Sequence, residues 1–222
     1  MHRAKICTVH AQTEISFGGE TLILSTLRTA YHQDSASLII SDLHLGKTTH
    51  FRKNALPIPK EAMLTDFHNL QQALNHFKPM RVFFLGDLFH STWNEEWDLF
   101  VNLMKNYPLL QKLLIAGNHD ILKPDKYEAA EMVVLDRYQL NNITLLHDAE
   151  SEDCLYSISG HIHPGFKISG AGKQSMVLPC FYVGQSKMIM PAFGSLTGKM
   201  AMKKLNENDR AWCFYNNRFY PC

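Results

Sequence analysis

Several features are scarce in this 222-residue sequence, and each absence narrows what the chain can be. Its five cysteines, Cys7, Cys154, Cys180, Cys213 and Cys222, are odd in number and scattered, with no CxxC pair. That pattern argues against a zinc knuckle or a disulfide framework and points to reduced thiols. No window approaches the ~18 uninterrupted apolar residues of a membrane-spanning helix. The opening Met1-His-Arg-Ala-Lys-Ile-Cys7 lacks the apolar core of a signal peptide. A cytoplasmic protein with no membrane partner is therefore expected. Charge of one sign is also missing: 22 Lys and Arg against 21 Asp and Glu leave a net +1. No bulk positive field announces nucleic acid, although bound divalent cations would add local charge that this sum misses. Repeats, low-complexity tracts and Pro/Gly/Ser-rich linkers are absent too, so residues 1–222 read as one domain with room for a substantial core.

What the sequence has in unusual supply is histidine, twelve residues in all. Several fall where apolar runs stop. Ser37-Leu-Ile-Ile-Ser-Asp42-Leu-His44, Arg81-Val-Phe-Phe-Leu-Gly-Asp87 and Lys112-Leu-Leu-Ile-Ala-Gly-Asn118-His119-Asp120 each read as a buried strand that ends on polar groups. Ile143-Thr-Leu-Leu-His147-Asp148 and Tyr156-Ser-Ile-Ser-Gly-His161-Ile-His163 repeat the pattern.

Between these strands lie helical stripes. Met63, Phe67, Leu70, Leu74 and Phe77 recur at steps of four and three, which predicts a helix over Pro59 to Phe77, stopped by Pro79. Trp97, Phe100, Val101 and Met104 predict a second over Asn94 to Tyr107, and a third is expected from Pro124 to Tyr138. Strands alternating with helices predict a largely parallel sheet covered on both faces. The opening Glu20–Leu27, after Gly18-Gly19, reads as part of a hairpin. The β-rich tail from Lys167, with a hairpin turn at Asn216-Asn217, supplies a second sheet. The expected architecture is α/β, a layered sandwich of two packed sheets flanked by helices.

In open α/β sheets, sites form beyond the carboxyl ends of strands. Five such ends carry Asp42, His44, Asp87, Asn118, His147, His161 and His163: two carboxylates, one amide and four imidazoles. Left unpaired, buried groups of this kind are costly, and divalent cations would satisfy them. The mixed nitrogen and oxygen set suits manganese, iron or zinc better than calcium. Seven ligands exceed one tetrahedral zinc and fit two ions if one carboxylate bridges. Two ions ~3.5–4 Å apart suit in-line displacement at a phosphate ester. His119, beside Asn118, is placed to protonate a leaving alkoxide or to stabilise developing charge. Lys47 and Arg52 are candidates for substrate phosphate, with a solvated loop charge as the plain alternative. Asp120 and Asp148 are read as orienting neighbouring imidazoles or capping helices. His90 and His50 are read as ordinary surface histidines.

The motifs Asp42-Leu-His44, Gly86-Asp87, Gly117-Asn-His-Asp120, His147 and Gly160-His-Ile-His163 resemble, in order, those of the calcineurin-like metallophosphoesterases. The resemblance implies an active enzyme in which Asp42, His44, Asp87 and His163 hold one ion. Asp87, Asn118, His147 and His161 would hold the other, with Asp87 bridging and His119 as the catalytic histidine. Ser41-Asp-Leu-His-Leu-Gly-Lys47, His50-Phe-Arg52, Leu56-Pro-Ile-Pro59 and Gly86-Asp-Leu-Phe-His-Ser91 are similar to the bacterial ligase-associated DNA damage response endonucleases. That closer likeness implies a DNA endo- or exonuclease linked to repair, encoded beside a DNA ligase and a helicase; manganese is the first metal expected, with iron and zinc as alternatives. Two other readings fit the same ligands: a phosphodiesterase of a cyclic nucleotide or nucleotide pyrophosphate, and a metal-binding scaffold without turnover. Oligomeric state is not legible.

Overall fold

The computed structural model describes residues 10–47, 60–90, 93–148, 154–169, 172, 174–202 and 206–221. Two hairpins open the first sheet. β1 (Gln12–Phe17) returns through Gly18-Gly19, both at positive φ, into β2 (Glu20–Ser25), followed by β3 (Thr29–His32) and β4 (Ser37–Ile40). Helix α1 (Lys60–Phe77), β5 (Arg81–Leu85), α2 (Glu95–Lys105), β6 (Gln111–Ile115), α3 (Pro124–Ala129) and β7 (Met132–Leu135) follow. The seven strands lie in chain order, antiparallel from β1 to β4 and parallel from β4 to β7.

The second sheet is built from β8 (Tyr138–Leu140), β9 (Ile143–Leu145), β10 (Ser157–Ser159), β11 (Pro164–Ser169), β12 (Ser175–Val183), β13 (Lys187–Ile189) and β14 (Met200–Met202). Its order is β14-β11-β12-β13-β10-β9-β8, and the hairpin β15 (Arg210–Tyr215)–β16 (Arg218–Pro221) joins through β12. Strands β9, β10 and β13 run parallel.

Period-two alternation explains how the layers stack. On β4 and β5, Leu38, Ile40 and Phe84 face the helices, while Ile39, Phe83 and Leu85 face the second sheet. Strands buried on both faces need unbroken apolar runs, which is what the sequence supplies here. On the helix side, Leu70 and Leu74 of α1 and Trp97, Phe100 and Met104 of α2 fill one core. Asn94 caps α2 by accepting from the Glu96 amide, and acidic residues in its first turn favour the helix dipole. Between the sheets, Leu22, Leu24, Ile143, Leu145, Ile158, Phe181 and Met188 fill the other core. The fold is thus the expected α/β sandwich of two packed sheets, and the described helices cover the outer face of the first.

One expectation fails. The third helix ends at Ala129 instead of Tyr138. Glu131 takes φ 54, and Met132–Leu135 pairs with Lys112–Ile115, so the edge of β6 gains its hydrogen bonds from β-branched Val133 and Val134. Glu131 also holds the buried Lys112 ammonium at 2.8 Å. Among the described residues no helix is long and apolar enough to cross a membrane.

Candidate metal centre

The carboxyl ends of β4, β5 and β6 in one sheet and of β9 and β10 in the other converge on one rim. Six of the seven proposed ligands meet there as two triads, Asp42–His44–His163 and Asp87–His147–His161, whose donor atoms lie within 4.8 Å of one another in each. In the first, His163 Nε2 stands 3.2 Å from Asp42 Oδ1 and 3.5 Å from His44 Nε2. In the second, His161 Nδ1 is 3.1 Å from His147 Nε2, which is 3.6 Å from Asp87 Oδ1. The other Asp87 oxygen, Oδ2, lies 3.8 Å from His44 Nε2. One carboxylate therefore faces both triads.

The backbone beneath these side chains is unusual. Asp42, His44, Asp87, His161 and His163 all have φ between 49 and 67. Left-handed backbone costs a non-glycine residue ~1–3 kcal/mol, and its clustering here marks a functional site. Two glycines make room for neighbouring ligands. A Cβ on Gly86 would strike the His147 ring, and one on Gly160 would strike Ser41 Oγ and Asp42 Oδ2.

Polar contacts aim the ligands. His147 Nδ1 lies 3.0 Å from Leu85 O. A carbonyl only accepts, so Nδ1 carries the proton and Nε2 turns its lone pair toward Asp87. The His161 amide donates to Asp42 Oδ2 at 3.0 Å, and Ser41 Oγ donates to the same oxygen. His44 Nδ1 is buried without a hydrogen-bond partner among the described residues, and Asp42 Oδ1 has only the 3.2 Å approach of His163 Nε2. Burial drives the His44 pKa down to about 3, keeping the imidazole neutral. Burial opposes ionisation of Asp42, yet His163 and Ser41 together hold its carboxyl below the usual range. A neutral His44, an ionised Asp42 and buried ligand atoms left short of partners are what a divalent cation requires, so the residues fit the ions that the motifs imply.

The first triad has a further support that no motif announced. Phe193 N donates to Ser41 O at 2.8 Å and Gly194 N to Asp42 O at 3.1 Å. That segment is in turn held from two sides. Arg28 Nη1 donates to the carbonyls of Ala192, Phe193 and Gly194 at 3.3, 2.9 and 3.2 Å. Asp66 of α1 accepts from the Ser195 amide and hydroxyl at 3.0–3.1 Å. Glu96 of α2, itself buried, accepts the Gly46 amide at 2.8 Å.

The remaining candidates fall into place unevenly. His119 is exposed, its amide donating to Asp87 Oδ1 at 3.0 Å and its ring 5.8 Å from that of His44. Asn118 sits exposed on the same loop, and its side chain makes no hydrogen bond among the described residues. Asp120 neither orients an imidazole nor caps a helix. Instead, it accepts from the amides of Gly117, Leu88 and Phe89 at 2.8, 2.9 and 3.3 Å, tying the β5 and β6 loops together. Burial pushes its carboxyl up to about 6. His90 is not a plain surface residue: its half-buried ring packs 4.3 Å from that of His119 and 5.1 Å from that of His44. Its position three residues after Asp87 was the available signal. Lys47 is half-buried, and burial lowers its pKa against the pull of Asp87 and Asp42. Arg52 and His50 lie outside the described residues.

The family model for calcineurin-like phosphoesterases matches residues 37–174. Among solved structures, Pseudomonas putida nuclease MPE shares the fold, with a TM-score of 0.81 and 23% identity over 96% of this chain and 100% of that one. A protein of unknown function from Aquifex aeolicus aligns at TM-score 0.41 and 20% identity, over 57% of this chain and 78% of its own. Yfce, a phosphoesterase from E. coli, aligns at TM-score 0.41 and 14% identity, over 81% and 88%. No curated protein matches the chain.

Proposed function

The chain belongs to the calcineurin-like phosphoesterase family and is a metal-dependent phosphoester hydrolase; on that premise we propose that it is a DNA nuclease with two divalent ions, serving DNA repair. The observation that carries the two-ion reading is Asp87, which points one oxygen at His147 and the other at His44. Asp42, His44, Asp87 and His163 would hold one ion, and Asp87, Asn118, His147 and His161 the other. Manganese is the expected metal, and iron or zinc suit the same donors. When bound, such ions lower the pKa of water and offset charge on phosphoryl oxygens.

The chain's own groups do the positioning. His147 keeps its Nε2 lone pair inward because Leu85 O takes the Nδ1 proton. His119, exposed at the rim, hands a proton to the departing alkoxide. Lys47 lies within the field of Asp42 and Asp87 and meets a substrate phosphate, with Arg52 as its proposed companion. Nucleic acid is the favoured substrate because the fold matches that of a nuclease along nearly the whole chain. The motifs around Ser41–Lys47 add DNA repair and a co-encoded ligase and helicase as partners.

The test is hydrolysis of end-labelled single-stranded and duplex DNA in manganese, beside bis-p-nitrophenyl phosphate. Cleavage of DNA, abolished both by chelator and by Asp87→Ala, is expected. Hydrolysis of the small diester with DNA left intact would move the substrate to a small nucleotide.

A further inference from the structure

Three surface grooves of similar size, about 440, 480 and 490 Å³, differ in their charge. The one beside Met80 and Leu109 is apolar apart from Lys78, Asn75 and Tyr107. The one beside Tyr182 mixes Lys187 with Glu207 and Asp209. The third holds Arg28, Lys199 and His10 with three asparagines, and among the described residues no carboxylate lines it.

Its position connects it to the metal centre. Arg28 reaches Gly194 O through Nη1, and the Gly194 amide donates to Asp42 O. Lys199 immediately precedes Met200, whose amide donates to His163 O at 3.0 Å. Each cation is thus a step or two from a candidate ligand. All the Arg28 side-chain hydrogen bonds among the described residues leave from Nη1. Although Asp66 acts on Arg28 through its field, neither Arg28 nor Lys199 makes a close ion pair among the described residues. Burial, and next the adjacent guanidinium, draws the Lys199 pKa down; Asp66 offsets part of the Arg28 charge, and an anion would relieve the rest.

The lining also includes an aromatic residue. Tyr215, 49% exposed, closes β15, and Asn216 and Asn217 follow at φ 46 and 58 in the tight hairpin turn. His10 fastens that turn to α1, with one ring nitrogen 3.3 Å from Asn217 Oδ1 and the other 3.1 Å from Gln72 Oε1. A cationic groove with an exposed aromatic residue is the arrangement that holds single strands. Phosphates track the charges and unpaired bases stack on the ring.

We propose that this groove carries a single-stranded stretch of the nucleic-acid substrate, phosphates on Arg28 and Lys199 and a base against Tyr215. The inference rests on the nuclease reading above. It predicts that a strand lies along the groove as it leaves the metal centre, and that a small diester never touches it.

The experiment measures binding of fluorescein-labelled oligothymidylate by anisotropy in chelator, then its cleavage and that of bis-p-nitrophenyl phosphate in manganese. Lys199→Glu and Tyr215→Ala should each weaken oligonucleotide binding about tenfold. The ratio of oligonucleotide to small-diester turnover should fall in step. Lys199→Met should reduce the slope of log affinity against log salt by ~0.7, the signature of one lost phosphate contact on a single strand. Lys199→Arg should restore it. Small-diester turnover reports folding of each variant. Equal oligonucleotide affinity in wild type, Lys199→Glu and Tyr215→Ala would overturn the groove and leave the nuclease standing. A wild type that hydrolyses the small diester but neither binds nor cuts any oligonucleotide would overturn both.

Discussion

The two triads share their chemistry and differ in how they are held. Asp87, His147 and His161 each follow two residues after a strand, β5, β9 and β10, and Leu85 O, itself part of β5, fixes the His147 tautomer. Asp42, His44 and His163 depend on a segment far away in sequence: residues 192–195 brace the Asp42 loop and are braced in turn by Arg28 and Asp66. Packing between sheets sets one half, and a chain of polar contacts sets the other. Close packing resists displacement in every direction, whereas a polar brace is only as firm as its protonation states. The halves should therefore fail differently.

The largest effect is expected where the halves meet. His119→Ala should lower kcat on phosphodiesters by about 10²–10⁴ with both metals still bound, as counted by elemental analysis after dialysis. A variant that loses one metal would make His119 part of a triad's support and blur the division between halves. Gly86→Ala should act chiefly on the second half, although the Asp42 amide also donates to Gly86 O at 3.3 Å. Its Cβ meets the His147 ring and its φ of 73 is foreign to alanine. Manganese affinity at one of two calorimetric steps should fall by up to about 100-fold, with the other step retained. Loss of both steps together would show that the halves are a single unit.

Much of this centre could be read from the residues, because imidazoles and carboxylates at the ends of apolar runs have few other uses. The layered fold was legible for the same reason: β4 and β5 are apolar without alternation, as strands covered on both faces must be. The backbone was not legible. Nothing in the letters Asp42 or His163 announces a positive φ, which the surrounding contacts impose. Nor was the brace, since Asp66 and Ser195 stand 129 residues apart and belong to no motif. The third helix was overextended because Met132–Leu135 is apolar enough for either state, and only the open edge of β6 decides for a strand.

The smallest effect, and the sharpest for the braced half, comes from Asp66. Burial raises its carboxyl from the ordinary 3.8 to about 6, against the pull of Ser195 and Arg28. The folded state therefore holds this proton more tightly than the unfolded chain does. What the protonated carboxyl contributes to stability is fully present below pH 3.8, declines as pH rises toward about 6, and is gone above that. Asp66→Asn cannot titrate. The unfolding free energy of the wild type minus that of the variant should fall by about 2 kcal/mol across this window, measured by urea unfolding in chelator. A difference that stays flat with pH would mean that water reaches the Asp66–Ser195 contact. The first triad would then rest on Arg28, on the backbone bonds to residues 193 and 194 and on those from the Asp42 and His44 amides to Gly86 O and Asp87 O, and the contrast between the halves would shrink to one of geometry.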